Sequence, residues 1–360
     1  MASPAPPGDH DMASSDSEHG PTVVLHCFFG NKYPEYKFEL TDDPQAERER
    51  AMREVPARIR SLYEQGTPFF SKSTFRDVVA QLDHARAHPN PAGDAGCHII
   101  SIPRVDGTLA EFELETGPVK SDIPGTESVV RGHPFLHYRT YQEMAIVDDP
   151  YIFSPYLAYC SIRLTYPLTM RRISTGEVLT SWSSNPLDVV QSALDATIRA
   201  WEESEDCRRL RSSLETALLP RITKIVAFAC STMAALGDRQ PPMYQHALIL
   251  TLRDILERRQ GADQPQIACF AQDPVYTEAD REVLARLDIK VLEDPRAFLE
   301  VDDDTLVISV APNIPVRQII ADIARPAIMI WDRVESEAES AATWGPQDPG
   351  RRRVALGSPG

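Results

Sequence analysis

The sequence predicts an α/β protein, a Rossmann-like, mostly parallel sheet of about five strands flanked by helices, preceded by an α+β N-terminal region. Three observations predict it. Between residues 222 and 331 five short apolar runs alternate with helix-like segments. The runs are unbroken stretches of β-branched and aliphatic residues, the pattern of strands buried on both faces. They are flanked by Asp-Pro or Asn-X-Pro, and strands separated by helices imply a parallel sheet with right-handed crossovers.

The runs are 222–230 (ITKIVAFAC), 265–274 (PQIACFAQDP), 289–295 (IKVLEDP), 305–315 (TLVISVAPNIP) and 325–332 (RPAIMIWD). A first crossover helix spans about Met243–Arg259, apolar around much of its circumference as a helix pressed on a sheet must be. A second begins at Thr277, with Asp280 at N3 completing a variant capping box, and turns Val283, Leu284 and Leu287 to the sheet. The last spans Pro315–Ala324, with Asn313 as its N-cap and Pro315 in its first turn, where a missing N–H does little harm.

Upstream, residues 1–20 are rich in Pro, Ser, Asp and Gly and read as disordered. Thr22–Phe29 reads as a strand. Helices are predicted over 44–65 and 73–88, the second capped by Ser73 or Thr74. Strands follow at His98–Ile102 and Leu109–Leu114 around an Asp106-Gly107 turn, and Tyr159–Arg171 with Glu177–Trp182 reads as a hairpin about Ser174–Gly176. Asn185 is predicted to cap a helix with Pro186 at its first position and Val190, Leu194, Ile198 and Trp201 on its buried face. A further helix covers about 204–218. The chain thus divides into residues 1–20, an N-terminal region over 21–220, an α/β domain over 221–334, and a flexible tail over 335–360.

Composition narrows the function classes. A chain of 360 residues holds two domains or one with a large extension, and its 30 prolines demand many turns. A formal charge of −16 and the lack of a basic stripe disfavour nucleic acid as a partner, because that binding rests on Lys and Arg neutralising phosphates. No apolar run approaches the roughly 18–20 residues that span a bilayer, and the first twenty residues lack the basic and apolar regions of a secretory signal. Six scattered cysteines with no C-x-x-C pair read as free thiols of a cytoplasmic or nuclear protein. The triplet Arg351–Arg353 does not decide between those compartments.

The runs AQDPVYTEADREVL and LEDPRAFLEVDDDTLVISVAPNIPVRQIIADIARPAIMIWDRV, with ITKIVAFACSTMAAL and QHALILTLRDIL before them, resemble fungal-type members of the Sensitivity to Red Light Reduced-like (SRR-like) domain family. The resemblance covers roughly 221–334, and SKSTFRDVVAQL is similar to the N-terminal extension of such proteins. It implies a regulatory role of the kind linked to light signalling and circadian timing. It brings no agreed reaction, so no catalytic residue carries over. Many members place a glycine-containing turn after the first strand, whereas this chain has Cys230-Ser231-Thr232-Met233.

Open parallel sheets bind ligands beyond the carboxyl ends of their strands, so candidate residues are sought there. Ser231 and Thr232 offer hydroxyls after the first strand, although neither G-x-G-x-x-G nor a P-loop is present and Gly237 is the nearest glycine; a plain connecting loop is the ordinary alternative. Asp273 stands where an acidic residue can hold ribose hydroxyls, but some 41 residues beyond Thr232 instead of the usual offset of about 20. A turn-initiating Asp-Pro accounts for it equally well. Asn313 and Arg317 after the fourth strand offer a helix N-terminus and a guanidinium to a carboxylate or phosphate. Trp331 and Asp332 would add a stacking wall and an acceptor, unless Trp331 is core.

No metal site is predicted. Pro134 spoils the pair His133 and His137, His84 and His88 lie near a helix end, and Asp302–Asp304 reads as an acidic turn. No nucleophile has a partnered base. The expectation is a regulatory protein without catalytic residues, whose strand-end cleft takes a small metabolite or nucleotide and whose N-terminal half meets a protein partner. The competing expectation is an enzyme with a nucleotide-type cofactor, S-adenosylmethionine ahead of NAD, and it rests on fold analogy.

Overall fold

A computed structural model describes residues 44–88, 97–115, 118–120, 125–130, 134–146, 155–165, 168–176, 178–179, 184–235, 241–261 and 263–332. The expectations for residues 1–20, the Thr22–Phe29 strand, His133, Gly237 and the tail from 335 lie outside the described residues.

The chain opens with helices α1 (Pro44–Glu64) and α2 (Lys72–Ala87). Ser71 caps α2: it is extended, and its side chain accepts from the N–H of Thr74. The sequence pointed to Ser73 or Thr74, both of which are already inside the helix. Strands β1 (Cys97–Pro103) and β2 (Leu109–Glu115) pair as an antiparallel hairpin. Its turn uses Gly107 at φ 87°, a backbone region that side-chain-bearing residues rarely adopt.

Next come β3 (Pro118–Lys120), β4 (Thr126–Val130), β5 (Phe135–Tyr138), and the short helices α3 (Tyr141–Met144) and α4 (Pro155–Ala158). Strands β6 (Ile162–Thr165), β7 (Leu168–Arg172) and β8 (Val178–Leu179) follow. The expected single strand Tyr159–Arg171 is therefore two strands with different partners. β6 pairs with β5, whereas β7 bridges β4 and the hairpin strand β8.

Helices α5 (Leu187–Glu203) and α6 (Glu205–Thr216) lead into the α/β unit. Val190 and Leu194 are buried on α5, while Ile198 and Trp201 are only half-buried. Asn185 is not the cap of α5. Pro186 holds that position without a side-chain bond, and Asn185 spends both its backbone N–H (3.0 Å) and Nδ2 (2.7 Å) on the carbonyl of Ala234.

The α/β unit runs β9 (Lys224–Phe228), α7 (Pro241–Gln260), β10 (Ala268–Gln272), α8 (Glu278–Arg286), β11 (Ile289–Val291), α9 (Arg296–Glu300), β12 (Thr305–Ser309), α10 (Val316–Ile323) and β13 (Ile328–Trp331). The five strands form one parallel sheet in the order β11-β10-β9-β12-β13. In order of appearance this is 3-2-1-4-5, and the direction of winding reverses between β9 and β12. That reversal is the topological switch point, where open α/β sheets leave a crevice. β12 is buried along its whole length, as its unbroken Thr-Leu-Val-Ile-Ser run requires.

Each face of the sheet has its own core. Ile225, Ala227, Leu306 and Ile308 pack with α5, α7 and α8, whose inward residues include Leu194, Leu252 and Val283. Val226, Phe228 and Val307 face the other way, into a core shared by α9, α10 and the N-terminal region. Phe298 of α9 stands at its centre, stacked on Phe228 at 4.5 Å and on Phe75 of α2 at 5.4 Å. Asp322 of α10 accepts the N–H groups of Phe69 (2.8 Å) and Phe70 (3.1 Å), so the N-terminal region is fastened to this face by polar as well as apolar contacts. Among the described residues no helix is long and apolar enough to cross a membrane.

Candidate functional site

Because all five strands are parallel, the loops after β9, β10, β12 and β13 leave the same edge of the sheet. Ser231, Thr232, Asp273, Asn313, Arg317 and Trp331 are therefore all carried at this carboxyl edge. They do not form one cluster. The sidedness of the crossovers separates them into a group behind the first loop and a group on α10.

The first loop closes on itself. Ala229 and Ser231 adopt positive φ (56° and 61°) without being glycine, and this aims successive N–H groups inward. The N–H of Ala229 meets the carbonyl of Gln272 (3.1 Å), that of Ser231 meets Asp273 Oδ2 (2.7 Å), and that of Met233 meets Asp280 Oδ1 (2.8 Å). Thr232 Oγ1 donates to Asp280 Oδ2 at 2.6 Å and accepts from Ala234 N–H at 3.0 Å. In a dinucleotide site these donors would face a pyrophosphate. Here two carboxylates and a carbonyl of the protein already take them.

Asp273 also accepts from the N–H of Val275 (3.0 Å), which makes it the start of an Asx turn. Burial raises its pKa, the two backbone N–H groups pull it back, and Asp280 adds a further upward push. Asp280 is fully buried and also completes the capping box of α8, accepting from Thr277 N–H (2.7 Å) and Oγ1 (2.8 Å). An incoming phosphate would meet this pair head-on. At 4 Å and an effective dielectric of 20, each like-charge contact costs about 4 kcal/mol.

Behind the loop lies an enclosed relay. His246 of α7 has no exposure; its Nδ1 lies 2.6 Å from the carbonyl of Pro242 and its Nε2 2.8 Å from Tyr276 Oη. The carbonyl requires a proton on Nδ1, so Nε2 accepts from Tyr276. Burial lowers the imidazole to about 4 and pushes the Cys230 thiol up to about 12, Asp273 adding to the latter. A thiol held protonated and a neutral imidazole out of reach of solvent make no nucleophile.

A second polar cluster ends β10 and β11. Asp294 Oδ1 accepts from Tyr138 Oη (2.6 Å) and Gln272 Nε2 (2.8 Å), its Oδ2 accepts from Leu136 N–H (3.3 Å), and Gln272 Oε1 accepts from Ala297 N–H (2.8 Å). The residue keeps some exposure while its carboxyl is enclosed, and that enclosure raises it to about 6 against the pull of its three donors. These bonds join the antiparallel β5–β6 pair to the sheet edge.

The α10 group is different in kind. The guanidinium of Arg317 lies 5.1 Å from the ring of Trp331, a cation–π contact. Asn313 is exposed and is not the cap of α10. Pro315 occupies that position and no side chain caps the helix. Asp332 Oδ2 accepts from the N–H of Ala311 at 2.5 Å, so the expected acceptor ties down the loop after β12. Sequence reasoning passed over Asp280 beyond its helix-cap role, and missed Asp294, Tyr138 and Ser309. Asp294-Pro295 repeats the Asp-Pro signature of Asp273-Pro274, which was the one available signal for it.

Two shallow grooves lie away from this edge. One runs beside β11, between Arg281 and Val291, and the other lies among Lys72, Asp302–Asp304, Ile323 and Ala324. In the second, Lys224 pairs with Asp302 at 2.5 Å, which uses the acidic turn structurally. No group of three or more metal-ligating side chains occurs among the described residues.

With five parallel strands in the order 3-2-1-4-5 and no dinucleotide cradle, the α/β unit is a Rossmann-like domain of a non-standard kind. Residues 207–352 match the model of the SRR1 domain. The match begins within α6 and reaches past β13, so it extends beyond the 221–334 stretch read from the sequence. No curated protein and no solved structure matches the chain significantly.

Proposed function

We propose that this chain is a fungal-type SRR-like regulatory protein that binds a small metabolite at the carboxyl edge of its sheet and does not transform it. The observation that carries this reading is the first loop. The N–H groups of Ser231 and Met233 are bound to Asp273 and Asp280, and Cys230, with His246 of α7 behind the loop, is buried and electrically neutral. A cofactor site needs open donors at this position, and turnover needs a reachable base or nucleophile. The regulatory role rests on the SRR-like resemblance, the cytoplasm or nucleus on the scattered cysteines, and the N-terminal half is the surface for a protein partner.

The competing reading is an enzyme using a nucleotide-type cofactor. The 3-2-1-4-5 strand order with an acidic residue after the second strand favours it. Against it, Asp273 already spends Oδ2 on Ser231 and Oδ1 on Val275. Thermal unfolding with S-adenosylmethionine, S-adenosylhomocysteine, NAD and NADP separates the two. None is expected to raise the midpoint; a ligand at 100 times its Kd would stabilise by about 2.7 kcal/mol. Stabilisation by any of the four, abolished by Asp273→Ala, would refute the first reading.

A further inference from the structure

Ser309 ends β12 at the switch point. Its hydroxyl is buried, the residue being 1% exposed, and Ser309 Oγ has no hydrogen-bond partner among the described residues. Buried hydroxyls are normally paired, and one left alone calls for an explanation. The parallel register sets its direction. Ser309 stands opposite Phe228 on β9 and Trp331 on β13, so all three present to one face, and Phe228 packs there with Val316 and Ile319 of α10. The N-terminus of α10 stands at the carboxyl edge of that same face.

That N-terminus is open. Val316 N–H reaches Ile314 and Ile319 N–H reaches Pro315. The N–H groups of Arg317 and Gln318 make no bond among the described residues, and Pro315 brings no capping side chain. An uncapped helix start carries about half a positive charge. Arg317 adds a full one, with no carboxylate in ion-pair range among the described residues and its guanidinium held over Trp331. Open backbone donors and positive charge are thus gathered across the switch point from the carboxylates Asp273 and Asp280.

We infer that the metabolite site is an oxyanion site at the start of α10, where the Arg317 and Gln318 N–H groups, the Arg317 guanidinium and the unpaired Ser309 hydroxyl receive a carboxylate or phosphate beside the Trp331 ring. This rests on the ligand-binding reading above and supplies its chemical class. Ser309 gives the hydrogen bond that fixes the anion's depth, and Arg317 gives the long-range attraction.

The experiment is thermal unfolding of the full chain with orthophosphate and with succinate, each against chloride at equal ionic strength, which distinguishes phosphate from carboxylate. At 100 times Kd, the expected rise in midpoint is roughly 4–5 °C for one of them. Arg317→Ala, an exposed change, and Ser309→Ala each raise the Kd about tenfold, which roughly halves the midpoint shift at the same anion concentration. Ser309→Ala leaves the anion-free midpoint unchanged or higher, because it removes an unpaired buried hydroxyl. No response to either anion overturns the site, as does an undiminished response in both variants, which identifies an adventitious ion only. A fall of several degrees in the anion-free midpoint of Ser309→Ala overturns it too, since the hydroxyl is then paired internally. NAD and S-adenosylmethionine run alongside. Silence from all four compounds removes the oxyanion site and leaves the non-catalytic reading standing, whereas stabilisation by either cofactor, abolished by Asp273→Ala, removes that reading whatever the anions do.

Discussion

Replacing Asp280 by alanine tests whether the first loop is sealed by the protein's own carboxylates. Asp280 accepts four hydrogen bonds, from Met233 N–H, Thr232 Oγ1, and the N–H and Oγ1 of Thr277. Thr232 and Thr277 are half-buried and can turn to water, but Met233 is 1% exposed and its N–H cannot. Orphaning a buried donor costs about 1–3 kcal/mol, towards the upper end when its partner was charged. Loss of the capping box removes about 1 kcal/mol more. Asp280→Ala is therefore expected to destabilise the protein by about 3–4 kcal/mol. Urea unfolding reads this as a lower midpoint at unchanged m. Thr277→Ala, which removes only the cap hydroxyl, is the control, at about 1 kcal/mol. A loss below about 1 kcal/mol for Asp280→Ala would mean that water already reaches the loop donors. They would then be available to a phosphate, and the first loop could hold a cofactor.

The buried groups titrate in opposite senses. His246 is held down from 6.5 to about 4, so the unfolded chain takes up its proton first and stability is lost as pH falls from 6.5 towards 4, by about 1.4 kcal/mol per unit; His246→Gln should flatten that limb of a stability–pH curve. Asp294 is raised from 3.8 to about 6, so the folded state holds its proton longer and stability declines as pH rises through that window; Asp294→Asn should remove the decline when its curve is subtracted from that of the wild type. Phe298→Ala empties the centre of the shared core, where Phe228, Phe75 and Tyr138 all contact its ring. It is expected to cost about 3–5 kcal/mol in chemical unfolding, and loss of the α2 contact should raise proteolysis within α2 in parallel.

Much of the sheet was legible because both-face burial writes itself as uninterrupted apolar runs. Thr305–Ser309 is buried at every residue, and all five runs became strands. The capping box at Thr277 was legible for the same reason: it is a local motif, complete within four residues. Elements governed by distant partners were not. Asn185 looks like a helix cap until Ala234, 49 residues away, takes its amide. Asn313 fails as a cap because the helix starts later, at a proline that leaves its N-terminus bare.

The candidate residues divide in the same way. Sequence determined that Ser231, Thr232, Asp273, Asn313, Arg317 and Trp331 share one edge, since parallel strands with helical crossovers allow no other placement. It could not determine which of them are already occupied. That depended on Asp273 and Asp280 arriving beneath the first loop from 42 and 47 residues away, and on no partner for Ser309 Oγ among the described residues. Hydrogen bonds between segments far apart in the chain leave no periodicity behind them. The alternation of strand and helix was therefore fixed by local sequence, whereas tertiary packing alone settled which donors are spent and which remain open.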